Sequence, residues 1–77
     1  MKYFRKYANR RLYCLQNNVY VTLNDIFEDV QAGHEVNVTH KDTKVDMTRE
    51  TLLDVLVAQE TKNPRLDIAS LLELIRR

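Results

Sequence analysis

Lys2, Arg5, Lys6, Arg10 and Arg11 place five cations at the start of the chain, and no Asp or Glu occurs before Asp25. Tyr3, Phe4, Tyr7, Tyr13 and Tyr20 interleave with them, leaving Phe27 as the sole aromatic elsewhere. Cations neutralise phosphates while aromatic side chains pack or stack, so this pattern suits a polyanion. The plain alternative is an amphipathic strand with a solvated charged face. Residues 1–24 carry a charge of +5, whereas residues 25–77 hold seven basic and eleven acidic residues, a charge of −4. A partner meets the local field and not the net charge of +1, so a nucleic acid is expected at the basic end.

Other chemistries find no support. Cys14 is the one cysteine, so no internal disulfide can form, and a free thiol fits a reducing cytosol. His34 and His40 are isolated and make no metal site with it. A single glycine, Gly33, cannot build a phosphate-cradling loop, and Ser70, the only serine, lies in no nucleophile motif. Neither an enzyme nor a cofactor is expected. No apolar run follows the basic N-terminus, and none reaches eighteen residues, so neither a secretory signal nor a membrane span is expected.

The elements that must position the basic residues can be read in outline. Arg11–Leu15 and Val19–Val21 are short strands around Gln16-Asn17-Asn18, a tight turn in which Asn tolerates positive φ. Alternation sets Leu12 and Cys14 on one face and Arg11, Tyr13 and Leu15 on the other. Residues 1–10 read equally as a longer strand or a free arm. Thr22 and Asp25 form a capping box for a helix with Leu23, Ile26, Phe27 and Val30 on one face, closed by Gly33. Its early carboxylates, Asp25, Glu28 and Asp29, make it a poor phosphate site. Val36–His40 and Val45–Met47 read as a second hairpin, with Lys41–Lys44 as its turn. Thr48 is expected to cap a second helix reaching about Thr61. Its Leu52, Leu53, Val55, Leu56 and Val57 cover so wide an arc that burial on two sides is expected, the second side against another subunit. Asn63-Pro64 breaks the pattern. A third helix then starts near Asp67, with Ile68, Leu71, Leu72 and Ile75 on one face, and Arg76-Arg77 carries no stop signal.

The run Lys6-Tyr7-Ala8-Asn9-Arg10-Arg11-Leu12-Tyr13 resembles the signature of the N-terminal DNA-binding domain of polyhydroxyalkanoate synthesis regulators. The likeness continues through Tyr20–Ile26, Asp46–Arg49, Leu52–Glu60 and Leu71–Arg76. It implies a bacterial, cytoplasmic regulator that represses genes for a carbon-storage polymer and its granule-coating proteins. Some such proteins also bind the polymer surface, and full-length members usually carry a further C-terminal region. Two departures stand out: Cys14-Leu15 replaces the usual Asp-Thr, and no Gly lies in the second turn, near Lys44.

The expectation is one α+β domain over residues 1–77, in the order β-hairpin, helix, β-hairpin, helix, helix. It should complete its core as a homodimer or higher oligomer through Leu52, Leu53, Leu56 and Val57, and bind duplex DNA at a palindromic operator. Lys2, Arg5, Lys6, Tyr7, Asn9, Arg10, Arg11 and Tyr13 are the candidate contacts. Adjacent Arg10 and Arg11 point to opposite faces of a strand, so only one can face a groove and the other is left to pair with a carboxylate. Asn9 could bond adenine bidentately or serve as a turn residue. Tyr7 and Tyr13 fit core or strand packing better than base stacking. The rival reading is an interaction module, its basic end bound to an acidic protein or to a storage-granule surface.

Overall fold

The computed structural model describes residues 1–76; Arg77, half of the terminal basic pair, lies outside the described residues. The elements are β1 (Lys2–Lys6), β2 (Leu12–Cys14), β3 (Val19–Val21), α1 (Leu23–Gln31), β4 (Val36–His40), α2 (Thr48–Lys62) and α3 (Ile68–Ile75). Together they make a small α+β domain. One four-stranded sheet has the order β3-β2-β1-β4. The segment that could have been a free arm is therefore a central strand. β1 runs antiparallel to β2, with Phe4 opposite Cys14, and parallel to β4, with Phe4 opposite Val38.

Strand alternation divides this sheet into two unlike faces. One face supplies Phe4, Leu12, Cys14 and Val38, which meet Ile26 of α1 and Val55 of α2 in a single core. Phe4, Ile26 and Val38 are essentially inaccessible to solvent, each contributing about 1.5–3 kcal/mol of apolar burial. Cys14 is buried here, as a small apolar residue should be.

The capping box on α1 forms as its sequence dictates. The Asp25 N–H donates to Thr22 Oγ1 (3.2 Å), and the Thr22 N–H donates to Asp25 Oδ2 (2.9 Å). Gly33 follows the helix at φ +96°, with open space where a Cβ would stand, so backbone conformation and not crowding selects glycine.

Two expectations fail around β4. Residues 45–47 do not form a returning strand: only an isolated bridge joins Thr39 to Asp46. The segment instead covers the outer edge of β4. His40 donates its N–H to the Val45 carbonyl (2.9 Å), and Met47 donates to the Val38 carbonyl (2.7 Å). Nor does Thr48 cap α2. Met47 occupies that position without a side-chain cap, and Asp46 Oδ1 accepts from the Thr48 N–H (2.9 Å). The Thr48 hydroxyl is occupied elsewhere, accepting from the Val38 N–H at 2.8 Å. Its local sequence resembles a cap because the alternative partner lies ten residues away.

α2 buries only Thr51 and Val55, one turn apart, against the sheet and α1. Leu53, Leu56 and Val57 are 52–64% exposed, and Leu52 is 37% exposed. Helix α3 is capped by Asp67, whose Oδ1 accepts from the Ser70 N–H at 2.7 Å. It buries none of its side chains: Ile68 and Ile75 are 78% and 80% exposed.

Candidate nucleic-acid interface

The second face of the sheet is open, because the core and both core-packed helices lie on the other side. Register places Arg5 between Tyr13 on β2 and Thr39 on β4, and Tyr13 is in turn opposite Tyr20 on β3. Tyr3 and Asn37 form the neighbouring pair. Tyr7, Tyr13 and Tyr20 pack edge to face in one cluster, with ring centroids 5.3–6.4 Å apart. The Tyr13 hydroxyl donates to Asn18 Oδ1 in the β2–β3 turn (3.3 Å). Asn18 itself takes φ +55°, the left-handed conformation expected of that turn. Two cations lie over the cluster: Arg11 is 5.2 Å from the Tyr20 centroid and the Lys41 Nζ is 4.8 Å from that of Tyr7. The sheet positions on this face, Tyr3, Arg5, Tyr13, Tyr20, Asn37 and Thr39, include no carboxylate.

Residues Tyr7–Arg11 form the β1–β2 turn. The Tyr7 N–H donates to the Arg11 carbonyl (2.8 Å), and the Arg10 N–H donates to the Tyr7 carbonyl (3.0 Å). Asn9 Oδ1 accepts from the Arg11 N–H at 3.2 Å, which makes Asn9 a turn residue in this structure. Arg10 takes φ +64°, a conformation in which glycine is favoured. Adjacent arginines thus diverge, as alternation demands. Arg11 lies on the open face, while Arg10 lines a groove on the helical side with Lys6, Asp54 and Val57. Ala8, Asn9 and Arg10 are all exposed at the tip.

Not every candidate cation is on the open face. Lys2 and Lys6 alternate with Tyr3 and Arg5, so they point towards the helices. There Lys2 Nζ meets Asp29 Oδ1 at 2.9 Å, and Lys6 Nζ meets Asp54 Oδ2 at 3.6 Å. Both charges are compensated within the chain. Of the eight candidate residues, Arg5, Tyr7, Arg11 and Tyr13 are brought together on one face; Asn9 and Arg10 form the tip, and Lys2 and Lys6 lie behind it.

Tyr3 and Tyr20, counted among the interleaved aromatics, and Lys41 are not among the eight candidate contacts. Tyr20 could have been found from its place opposite Tyr13 in the first hairpin. Lys41 had no local signal, because it reaches Tyr7 only through the parallel pairing of β1 with β4. Lys44, near which the family resemblance implies a glycine, sits at φ +63°, so lysine adopts a conformation glycine would favour. That turn is held by His40, whose Nδ1 accepts from the N–H groups of Asp42 (3.1 Å) and Thr43 (3.3 Å).

The family model described as the PHB/PHA accumulation regulator DNA-binding domain matches residues 3–63, which run from β1 to the end of α2. A protein of Allochromatium vinosum described as uncharacterized is 36% identical over 73 residues, covering 95% of this chain and 48% of its own length. A protein of Thiocystis violacea, described as an uncharacterized protein in the phbA 5' region, is also 36% identical over 73 residues, covering 95% of this chain and 53% of its own. The chain therefore spans about half the length of these curated relatives. No solved structure matches it.

Proposed function

This chain belongs to the PHB/PHA accumulation regulator DNA-binding domain family, and from that premise we propose that it grips duplex DNA with the β1–β2 hairpin and the open face of its sheet. Within a longer regulator it represses genes for polyhydroxyalkanoate synthesis and for granule-associated proteins. The observation that carries the assignment of the face is the partition of charge. Arg5 and Arg11 stand on a face whose sheet positions hold no carboxylate, whereas Lys2 and Lys6 are already neutralised by Asp29 and Asp54.

Geometry favours the hairpin as the inserted element. A sheet of four strands at about 4.8 Å spacing is too wide for a major groove of about 12 Å, but a two-stranded ribbon fits. Asn9, Arg10 and Arg11 lie at the end of that ribbon. Arg11, held against Tyr20, is suited to guanine or to a phosphate, and Arg5 tracks the backbone. The exposed aliphatic residues Leu52, Leu53, Leu56 and Val57 of α2 support a homodimer or higher oligomer, and a two-fold dimer matches a palindromic operator.

The test is fluorescence anisotropy on duplex DNA. Arg5→Ala and Arg11→Ala should each weaken binding strongly, while Lys2→Ala should change it little. Equal loss from Lys2→Ala and Arg11→Ala, in proteins that stay folded, would reject the open face. The second reading, a module docked on a granule surface, draws on the exposed apolar side chains of α2 and α3. Binding to polymer granules that persists in high salt and survives Arg5→Ala and Arg11→Ala together would favour it, because apolar adsorption does not weaken in salt.

A further inference from the structure

We propose that Lys41, remote in sequence from the basic N-terminal segment, is a second phosphate-binding residue of the same DNA site. With Arg11 it straddles the β1–β2 hairpin. The inference rests on the proposed DNA-binding face and extends it to the other side of β1.

The ends of three strands bring these residues together. β1 and β4 are parallel and in register to Lys6 and His40, so Tyr7 and Lys41 leave the sheet at the same end. β2 begins at that end with Leu12, directly after Arg11. A backbone bond from the Lys41 N–H to the Lys6 carbonyl (3.0 Å) ties the β4 side of the site to β1. The Lys41 ammonium is then held 4.8 Å from the Tyr7 ring centre. Arg11 is held by Tyr20, and the Tyr7 and Tyr20 rings touch, with centroids 5.8 Å apart. One aromatic cluster thus orients two cations.

Their spacing and freedom suit a duplex. In the order β2-β1-β4, the backbones at Arg11 and Lys41 are separated by two strand steps, about 10 Å, comparable to a major groove about 12 Å wide. A hairpin entering that groove would carry one cation towards each bordering phosphate strand. Among the described residues Lys41 forms no ion pair, unlike Lys2 and Lys6. Cation–π attraction at an exposed site is weak, so it orients the ammonium without withholding it from a phosphate.

A Lys41→Met variant keeps an aliphatic stem over Tyr7 and removes the charge. The probe is a generic duplex, because a phosphate contact acts on every sequence alike. Affinity is measured across a salt series beside the parent, Arg11→Met and Lys41→Arg, with circular dichroism to follow folding. Loss of one contact should flatten the slope of log K against log salt by about 0.9 for each copy bound, or roughly eightfold weaker binding at 0.1 M salt. Lys41→Arg should restore both slope and affinity. A Lys41→Met slope equal to the parent's, while Arg11→Met falls, overturns the role of Lys41 and leaves the proposed face standing. Parental slopes in both Met variants overturn the role and the face together. Affinity lost without a change of slope, or not restored by Lys41→Arg, also overturns the role, since the side chain would then be serving the fold.

Discussion

Thr48→Ala should destabilise the domain by more than the loss of a surface helix cap, and by a route the sequence conceals. The hydroxyl accepts a hydrogen bond from the Val38 N–H at 2.8 Å, and Val38 is fully buried. The outward edge of β4 has no further strand to satisfy that amide. Truncation strands a donor in the core, which costs about 1–3 kcal/mol, whereas a bond exchanged with water costs less. For a domain of this size, each kcal/mol lowers Tm by about 4–8 °C. Thr48→Ser, which keeps the hydroxyl, should recover most of the loss. Thermal and urea unfolding give the magnitude, and amide exchange at Val38 gives the location. Equal destabilisation by Ser and Ala, or a Val38 amide protected as in the parent, would mean that the hydroxyl is not the partner.

Thr22→Ala opens a true capping box and should cost about 0.5–2 kcal/mol, read from the urea midpoint; an unchanged midpoint counts against the cap. Leu56→Asp should dissociate the proposed oligomer, since an unpaired carboxylate in an interface costs several kcal/mol, while a residue 60% exposed in the monomer leaves the fold intact. Sedimentation decides it, and a folded variant of parental mass removes Leu56 from any subunit contact. Backbone and side-chain hydrogen bonds from Thr48 and Ser70 hold Asp46 and Asp67 below the usual carboxylate value of 3.8. A folded pKa that is depressed gives stability present above that value and lost as pH falls through the lower, folded one. Asp46→Asn and Asp67→Asn should therefore flatten the fall in stability below pH 3.8, and an unaltered acid limb in the double variant would contradict this.

Local chemistry was legible and distant pairing was not. The Thr22–Asp25 box, the left-handed Gly33 and Asn18, and the buried Leu12–Cys14 stripe all follow from residues within a few positions of one another. β1 could not be told from a free arm because its neighbours are β2 and β4, and parallel pairing to β4 leaves no short-range mark. The same distance hid the ion pairs that take Lys2 and Lys6 off the candidate surface, and the contact that puts Lys41 on it. Thr48 misled because a Thr before an apolar run looks the same whether its hydroxyl faces its own helix or a strand. On α2, apolar breadth predicted burial on two sides; within one chain only Thr51 and Val55 are buried, and Leu53, Leu56 and Val57 stay exposed.

The central place of β1 has a consequence for assembly. β1 is synthesised before β4, yet Lys2 pairs with Val36 and Lys6 with His40, so one edge of β1 stays unpaired until β4 has been made. An unpaired strand edge recruits other strands, including those of neighbouring nascent chains. Lys2, Arg5 and Lys6 lie along that edge with no acid near them in sequence, so two such edges repel before they can zip together. Charge that later enters the Asp29 and Asp54 ion pairs and, at Arg5, the proposed DNA-binding face thus also guards the half-made sheet. Neutral replacements along β1 should lower the yield of soluble protein even where the completed fold is as stable as the parent.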